Sequence, residues 1–203
     1  MIRIRPFEEG DLAALYDISL ATGDRGRDAA HLYEDRQLIG HIYAAPYAKL
    51  QPELVLVVED EHGVGGFVLG TPDTATWVRR LEEEWWPSLR LVYDDPGLAP
   101  APSWSADQKR ASMIHRPNQP IVAIIERYLA HVHLNLAPRL QGQGLAHQLF
   151  AEWIKTASGR GVAAIHLGAN PDNHRAISFW LRQGFRALNP DEPSPRVVWM
   201  GRL

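Results

Sequence analysis

The chain has 203 residues, 45% apolar and 22% charged, which suffices to bury a full core and matches the composition of an ordinary globule. Its 21 basic and 24 acidic residues leave a formal charge of −3 with no basic tract, so a nucleic-acid partner is not expected. It contains no cysteine, and that excludes disulfides, thiolate metal sites and a cysteine nucleophile together.

Residues 2–5 alternate as a first strand and lack a signal-peptide pattern. No apolar run approaches the roughly 18 to 20 residues of a membrane span, so the expected setting is the cytoplasm without a membrane partner. Leu12, Leu15, Tyr16 and Ser19 share a helical face, with Asp11 as the expected N-cap and Gly23 as the stop. A polar stretch over 22–28 leads into a second helical pattern around 29–40. Residues 53–59 and 64–70 read as a hairpin turning at 60–63. Trp77, Val78, Leu81, Trp85 and Leu89 stripe a helix over 74–92, which Pro87 should kink or restart. Residues 94–120 form a proline-rich excursion, with one helical pattern near 105–115, that covers the core of a single domain spanning 1–203. A central strand over 129–136 is followed by a helix burying Leu145, Leu149, Trp153 and Ile154. A strand at 163–167, a helix at 173–183 and a closing strand at 196–201 complete an α/β pattern.

The most informative segment joins the central strand to the next helix. Pro138 ends the strand, and Gln141-Gly-Gln-Gly-Leu-Ala146 turns into the helix. Glycines let main-chain N–H groups converge, and the helix N-terminus adds partial positive charge, so the turn suits a phosphate or pyrophosphate. A Walker-type loop would need Gly-Lys-Ser/Thr, where Leu145 and Ala146 stand. A dinucleotide fingerprint would need a third glycine and an earlier place in the chain.

Gln141-Gly-Gln-Gly-Leu-Ala146 resembles the Gln/Arg-x-x-Gly-x-Gly/Ala signature of the GNAT superfamily of N-acetyltransferases. About thirty residues on, Asn173-His-Arg-Ala-Ile-Ser-Phe-Trp-Leu-Arg-Gln-Gly-Phe185 resembles that superfamily's Asn-x-x-Ala-x-x-Phe-Tyr-x-x-x-Gly-Phe segment. A narrower likeness, carried by Tyr47, Glu59-Asp60, Gly70-Thr-Pro-Asp-Thr74, Trp85 to Pro87, Pro171-Asp172 and the final Val198-Trp-Met-Gly-Arg-Leu203, is to the acetyltransferase-like domain that ends the animal O-GlcNAc hydrolases, and to its free-standing bacterial relatives. No glycosidase portion is present, so sugar hydrolysis is not implied.

This resemblance implies a GNAT fold: a mixed central sheet of about six to seven strands flanked by helices, with two central strands splayed at the cofactor site. It implies acetyl-CoA as cofactor. The backbone of Leu134, Asn135 and Leu136 would pair with the pantetheine arm, and the N–H of Leu136 would reach the acyl carbonyl. The amides of Gln141, Gly142, Gln143, Gly144, Leu145 and Ala146 would hold the pyrophosphate. Asn173 would reach the pantetheine, Ala176, Phe179 and Trp180 would wall it, and Arg139 or Arg182 would meet the 3′-phosphate.

Acetyl transfer to an amine needs a base, donors that polarise the thioester and an acid for the departing thiolate. His131, His133 and Asn135 alternate and so share one face of the central strand. His133 and His131 are candidate bases, although each can equally pack beneath a helix. Asp73 can orient an acceptor ammonium, or simply cap the helix starting near Thr74. Asp24 and Asp28 lie where related enzymes build the acceptor pocket. The superfamily's usual acid is a tyrosine at the position of Trp180, whose indole cannot give up its proton, leaving unassisted departure or Tyr16 or Tyr43. No metal site is expected, since no helical histidine pair occurs among the nine histidines. Two readings stay open: direct transfer to an amine on a small molecule or a protein lysine, and a non-catalytic acyl-CoA-binding module. An oligomer is compatible with both.

Overall fold

The computed structural model describes residues 2–98, 103–188 and 196–203. Strand β1 (Arg3–Pro6) and helix α1 (Leu12–Ala21) form where the patterns place them. Asp11 precedes α1 but does not cap it, because its carboxylate accepts from Arg5 and from the Glu8 amide instead. The helix expected over 29–40 begins only at α2 (Leu38–Tyr43), with α3 (Ala45–Leu50) directly behind it. Side chains compete for the backbone donors of the earlier segment. Asp28 accepts from the Ala30 amide, Asp107 from Glu34 and Asp35, and Asp35 from Gln37, which withdraws those N–H groups from a helical ladder.

The hairpin is β2 (Leu56–Asp60) and β3 (Gly63–Thr71), bulged between Val58 and Glu59. The tryptophan stripe is three pieces: α4 (Thr74–Arg80), a π turn over Leu81–Trp85, and α5 (Trp86–Arg90). Pro87 supplies no N–H to the carbonyl four residues back and its ring crowds that carbonyl, so the distortion falls ahead of the proline. In the excursion, α6 (Ala106–His115) starts at a capping box in which Ser105 accepts from the Gln108 amide and Gln108 returns the contact. Positions 99–102 of that excursion lie outside the described residues. A single turn, α7 (Val122–Ile125), leads into β4 (Ala130–Leu136). Then follow α8 (Leu145–Ser158), β5 (Ile165–Ala169), α9 (His174–Arg182), β6 (Arg186–Ala187) and β7 (Val198–Arg202).

These strands make one seven-stranded mixed sheet in the order β1-β2-β3-β4-β5-β7-β6, parallel only between β4 and β5. Alternation along β4 sends side chains to two different cores. Val132 and Leu136 join the α8 face, where Leu149, Phe150 and Trp153 are almost wholly buried. His131, His133 and Asn135 face the other layer, built from α1 to α6 over Phe67 and Leu69. Burying each large side chain contributes on the order of 1.5–3 kcal/mol, so α8 clamps β4 firmly from one side. Among the described residues no helix is long and apolar enough to cross a membrane.

Candidate active site

Strands β4 and β5 pair only at Ala130 with Ile165 and His131 with His166, then part. The opposite edge of β4 stays paired to β3 as far as Leu136 opposite Gly66. From Val132 onward, β4 therefore presents an edge with no strand alongside it. An extended chain carrying amides can occupy such an edge by adding backbone hydrogen bonds.

At the end of that edge the glycine turn is held in shape by its own side chains. Gln141 Nε2 donates to the Leu136 carbonyl at 2.7 Å, and Gln143 Nε2 donates to the Arg139 carbonyl at 2.8 Å. Gly142 (φ 78°) and Gly144 (φ 76°) both occupy the left-handed region, where an L side chain is strained. A Cβ built on either meets no atom within 4 Å, so both glycines border open space. The amides of Gly142, Gln143, Gly144, Leu145 and Ala146 have no acceptor among the described residues. Five such donors in sequence at the start of the 14-residue α8 are suited to holding an anion.

Turn, open edge and α9 enclose a cleft of about 1030 Å³. Leu134, Asn135, Leu136, Gln141, Gly142, Gly144, Leu145, Ala146, Asn173, Ala176, Phe179, Trp180 and Arg182 all line it. So do Arg25, Gly26, Arg27 and Arg175, giving the cleft four arginines against Asp172. That charge suits a polyanionic ligand.

The sequence model of the acetyltransferase (GNAT) family matches residues 2–185. The chain belongs to the GNAT family of acetyltransferases. It is 22% identical over 204 residues to protein O-GlcNAcase of Rattus norvegicus, covering 98% of this chain and 22% of that protein. The chain thus spans about a fifth of the length of the curated relatives it matches. Among solved structures it resembles SsHAT, with a TM-score of 0.90 and 34% identity over 99% of this chain and 97% of that one. It shares its fold with the PaiA N-acetyltransferase from Thermoplasma acidophilum, solved with coenzyme A (TM-score 0.59, 14% identity, covering 100% and 98%). The seven-stranded mixed sheet with its splayed central pair is the GNAT architecture that the motifs imply.

Several residues serve differently from expectation. The Gln141 amide donates to the Pro138 carbonyl at 3.2 Å and so drops out of the cradle, whereas Gln143 keeps its amide there although its side chain turns to the Arg139 carbonyl. Asn173 caps α9, its Oδ1 accepting from the Ala176 amide at 3.1 Å, so only its Nδ2 is free for a ligand. Arg139 pairs with Asp60 at 3.0 Å and with the Gly63 carbonyl, which removes it from the phosphate site and leaves Arg182. Arg25 and Arg27 lie in a polar loop after α1 that carries no periodic pattern; the Arg-Gly-Arg string is its one cue in the sequence. Arg25 is held at φ 55°.

Across the sheet from the α8 layer lie His131 and His133 of the GNAT chain. His131 is fully engaged. Thr74 Oγ1 donates to the Leu129 carbonyl, so it accepts from His131 Nδ1 (2.8 Å), while Nε2 accepts from the Tyr47 hydroxyl (2.5 Å). Burial, and then the neighbouring His133 and His166, hold its pKa well below the ordinary value. His133 makes ring contacts with Tyr43, Tyr47 and His131 at 6.3, 5.6 and 5.6 Å but no hydrogen bond among the described residues. It sits deep yet keeps part of its surface open, and burial, with His166 second, lowers its pKa to about 4.

Asp73 caps α4 through the Thr76 amide at 2.8 Å, and like His131 and His133 it is not among the residues that line the cleft. Asp24 pairs with Arg27, and Asp28 closes a turn onto Ala30, so both structure their loop. Tyr16 is bound to His41 at 2.9 Å, and burial raises it to about 12; Tyr43 is the tyrosine of the two that faces His133. Trp180 is packed by Phe150, Phe179 and Phe185, with ring centres 4.9–5.2 Å away, and serves as a wall.

Proposed function

We propose that this chain binds acetyl-CoA in the cleft beside β4 and moves the acetyl group directly to an acceptor amine. The observation that carries the reading is the set of five unpartnered amides over residues 142–146 at the end of an open strand edge. The fit is specific: the positive-φ glycines leave free the space a phosphate needs, and Arg182, which has no partner among the described residues, lines the same cleft.

Acetyl-CoA, when bound, supplies the thioester whose acyl carbon is to be attacked. The chain's own residues provide the rest. Amides of the open edge from Val132 to Leu136 orient the arm and offer donors to the carbonyl. His133, neutral above about pH 4, has an uncommitted nitrogen that takes the proton the amine loses as its N–C bond forms. His131 cannot do this while both its nitrogens are engaged, and it fixes Tyr47 against the strand instead. Trp180 excludes water without donating a proton, so the thiolate leaves when the C–S bond breaks and is protonated from Tyr43 or solvent. A thiol pKa of about 8.5 makes that departure tolerable. No cysteine is present to carry the acetyl group, hence the direct route.

Trp180 also favours a second reading, a non-catalytic acyl-CoA-binding module, because the usual acid is missing. Mixing protein, acetyl-CoA and an amine panel while following free thiol separates the two. Thiol release that saturates with amine supports transfer. Calorimetric binding of acetyl-CoA without turnover on any amine supports the module, and no binding at all refutes both.

A further inference from the structure

Arg110 stands on α6, over the sheet face that bears His133, and is half-buried without a carboxylate partner among the described residues. Its Nε donates to the Tyr33 hydroxyl at 3.0 Å. Its Nη1 donates to the Tyr43 hydroxyl at 3.0 Å and to Met113 Sδ at 3.2 Å. Nη2 donates to nothing among the described residues, yet it is not sealed from solvent. On the same side of the molecule, Arg80, Arg90 and Arg116 each hold a carboxylate, from Glu84, Glu82 and Asp95. Asp107, one turn earlier on α6, is committed to the Glu34 and Asp35 amides, and Asp35 in turn to Tyr93 and the Gln37 amide.

A guanidinium cannot shed its proton, and holding a cation away from water without a counter-charge is costly. The two phenol oxygens offset part of that cost but bring no charge. Each also keeps a hydroxyl hydrogen; that of Tyr43 meets only Met113 Sδ at 3.7 Å, a weak acceptor. Tyr43 links this group to the candidate base, its ring centre 5.5 Å from Arg110 Cζ and 6.3 Å from the His133 ring. One tyrosine therefore separates an unsatisfied cation from an uncommitted imidazole.

We propose that Arg110, flanked by Tyr33 and Tyr43, binds a carboxylate on the acceptor, so that the acceptor is a small amino acid whose amine lies beside His133. This deepens the transfer reading and rests on it. A single cation with two free N–H groups on Nη2 and neighbouring hydroxyl donors matches a singly charged carboxylate.

Matched amines that differ only in the carboxylate test the assignment: lysine with cadaverine, ornithine with putrescine, tyrosine with tyramine. In the intact chain, kcat/KM for the carboxylate member of at least one pair should exceed that of its partner by roughly tenfold or more, the scale of a hydrogen bond to a charged group. Arg110→Met should bring that ratio toward one, and Arg110→Lys should give an intermediate value. Because it is a ratio, partial loss of folded protein does not move it. A ratio near one in the intact chain, or one unchanged in Arg110→Met, overturns the proposal. Should no amine release thiol, the transfer reading fails on its own, and calorimetric titration of the coenzyme A-saturated protein with the same pairs reads the carboxylate site directly. Selective uptake of the carboxylate members, lost in Arg110→Met, upholds it; equal uptake or none overturns it.

Discussion

Gly144 offers a direct test of the phosphate cradle, because its two possible roles predict separable effects. An L residue at φ 76° costs roughly 1–2 kcal/mol of stability wherever it occurs. A side chain at Gly144 also projects into space that no protein atom fills, where the cradle would receive the pyrophosphate. Gly161, beyond the far end of α8, is the matching control: its φ is 79°, its Cβ likewise meets nothing within 4 Å, and it lies outside the cleft. Gly144→Ala and Gly161→Ala should therefore lose similar stability, a shift in Tm of about 2–8 °C for a chain of this size. Only Gly144→Ala should weaken acetyl-CoA binding, by tenfold or more if one charge-assisted bond of about 1.5–3 kcal/mol is lost. Gly144→Trp should abolish binding by filling the cradle. Calorimetric titration with acetyl-CoA, beside thermal melts of each variant, reads both quantities. A folded Gly144→Trp protein that binds acetyl-CoA within twofold of the original would refute the cradle, and with it the functional reading.

His133→Ala should lower turnover on a working amine by roughly 10²–10⁴-fold while acetyl-CoA affinity stays within twofold, and the acidic limb of kcat/KM in the intact chain should lie near pH 4 instead of 6.5. His41, His131, His133 and His166 are all held below their ordinary pKa, chiefly by burial, so the unfolded chain binds more protons than the native one as pH falls through 6.5. Stability should therefore be full above pH 7 and fall between about pH 6.5 and 4, by up to ~1.4 kcal/mol per pH unit per histidine; urea melts at pH 7, 6 and 5 check the slope, and a flat result contradicts the burial. Arg182→Ala should cut the preference for coenzyme A over its 3′-dephospho form by roughly tenfold, whereas Arg139→Ala should spare that preference and cost no more than about 1 kcal/mol of stability. Asn173→Ala should cost about 1 kcal/mol through the lost cap on α9, measured by denaturant melts.

Most of the sheet was legible because its strands carry their own signals. Alternation in β1 and β4, the polar turn before β3 and the amphipathic stripe of α8 each act within a dozen residues. Where the reading failed, distant residues decided. The helix expected from residue 29 waits until Leu38 because Asp107, more than seventy positions away, takes the Glu34 and Asp35 amides. Strand β6 has two residues and exists only through pairing with β7, so nothing local announces it. Asp11 stands at the start of α1 as its position predicts, but its carboxylate goes to Arg5 of β1, six residues earlier, which offers a stronger contact than a helix amide.

The same division explains why one half of the site could be read and the other could not. A phosphate cradle is built from main chain, and main chain that must adopt positive φ leaves glycines at fixed spacing in a contiguous segment. An acceptor pocket is built from side-chain tips, and in the one proposed here those tips would come from α2, α3, α4, β4 and α6. Nothing in the sequence distinguishes His131 from His133, since both alternate on the same strand. Only the folded chain shows that Thr74 and Tyr47 occupy both nitrogens of the first, while the second is left with ring contacts alone. Arg110 is the sharper instance: in sequence it is one arginine on a polar helix, beside an aspartate at i−3 that could pair with it. That aspartate is drawn off by two backbone amides, and its absence converts an ordinary surface cation into a charge that still requires a partner. If Arg110 binds the acceptor as proposed, specificity would be set by which counter-charges the loops consume, a property of the tertiary arrangement that no local pattern encodes.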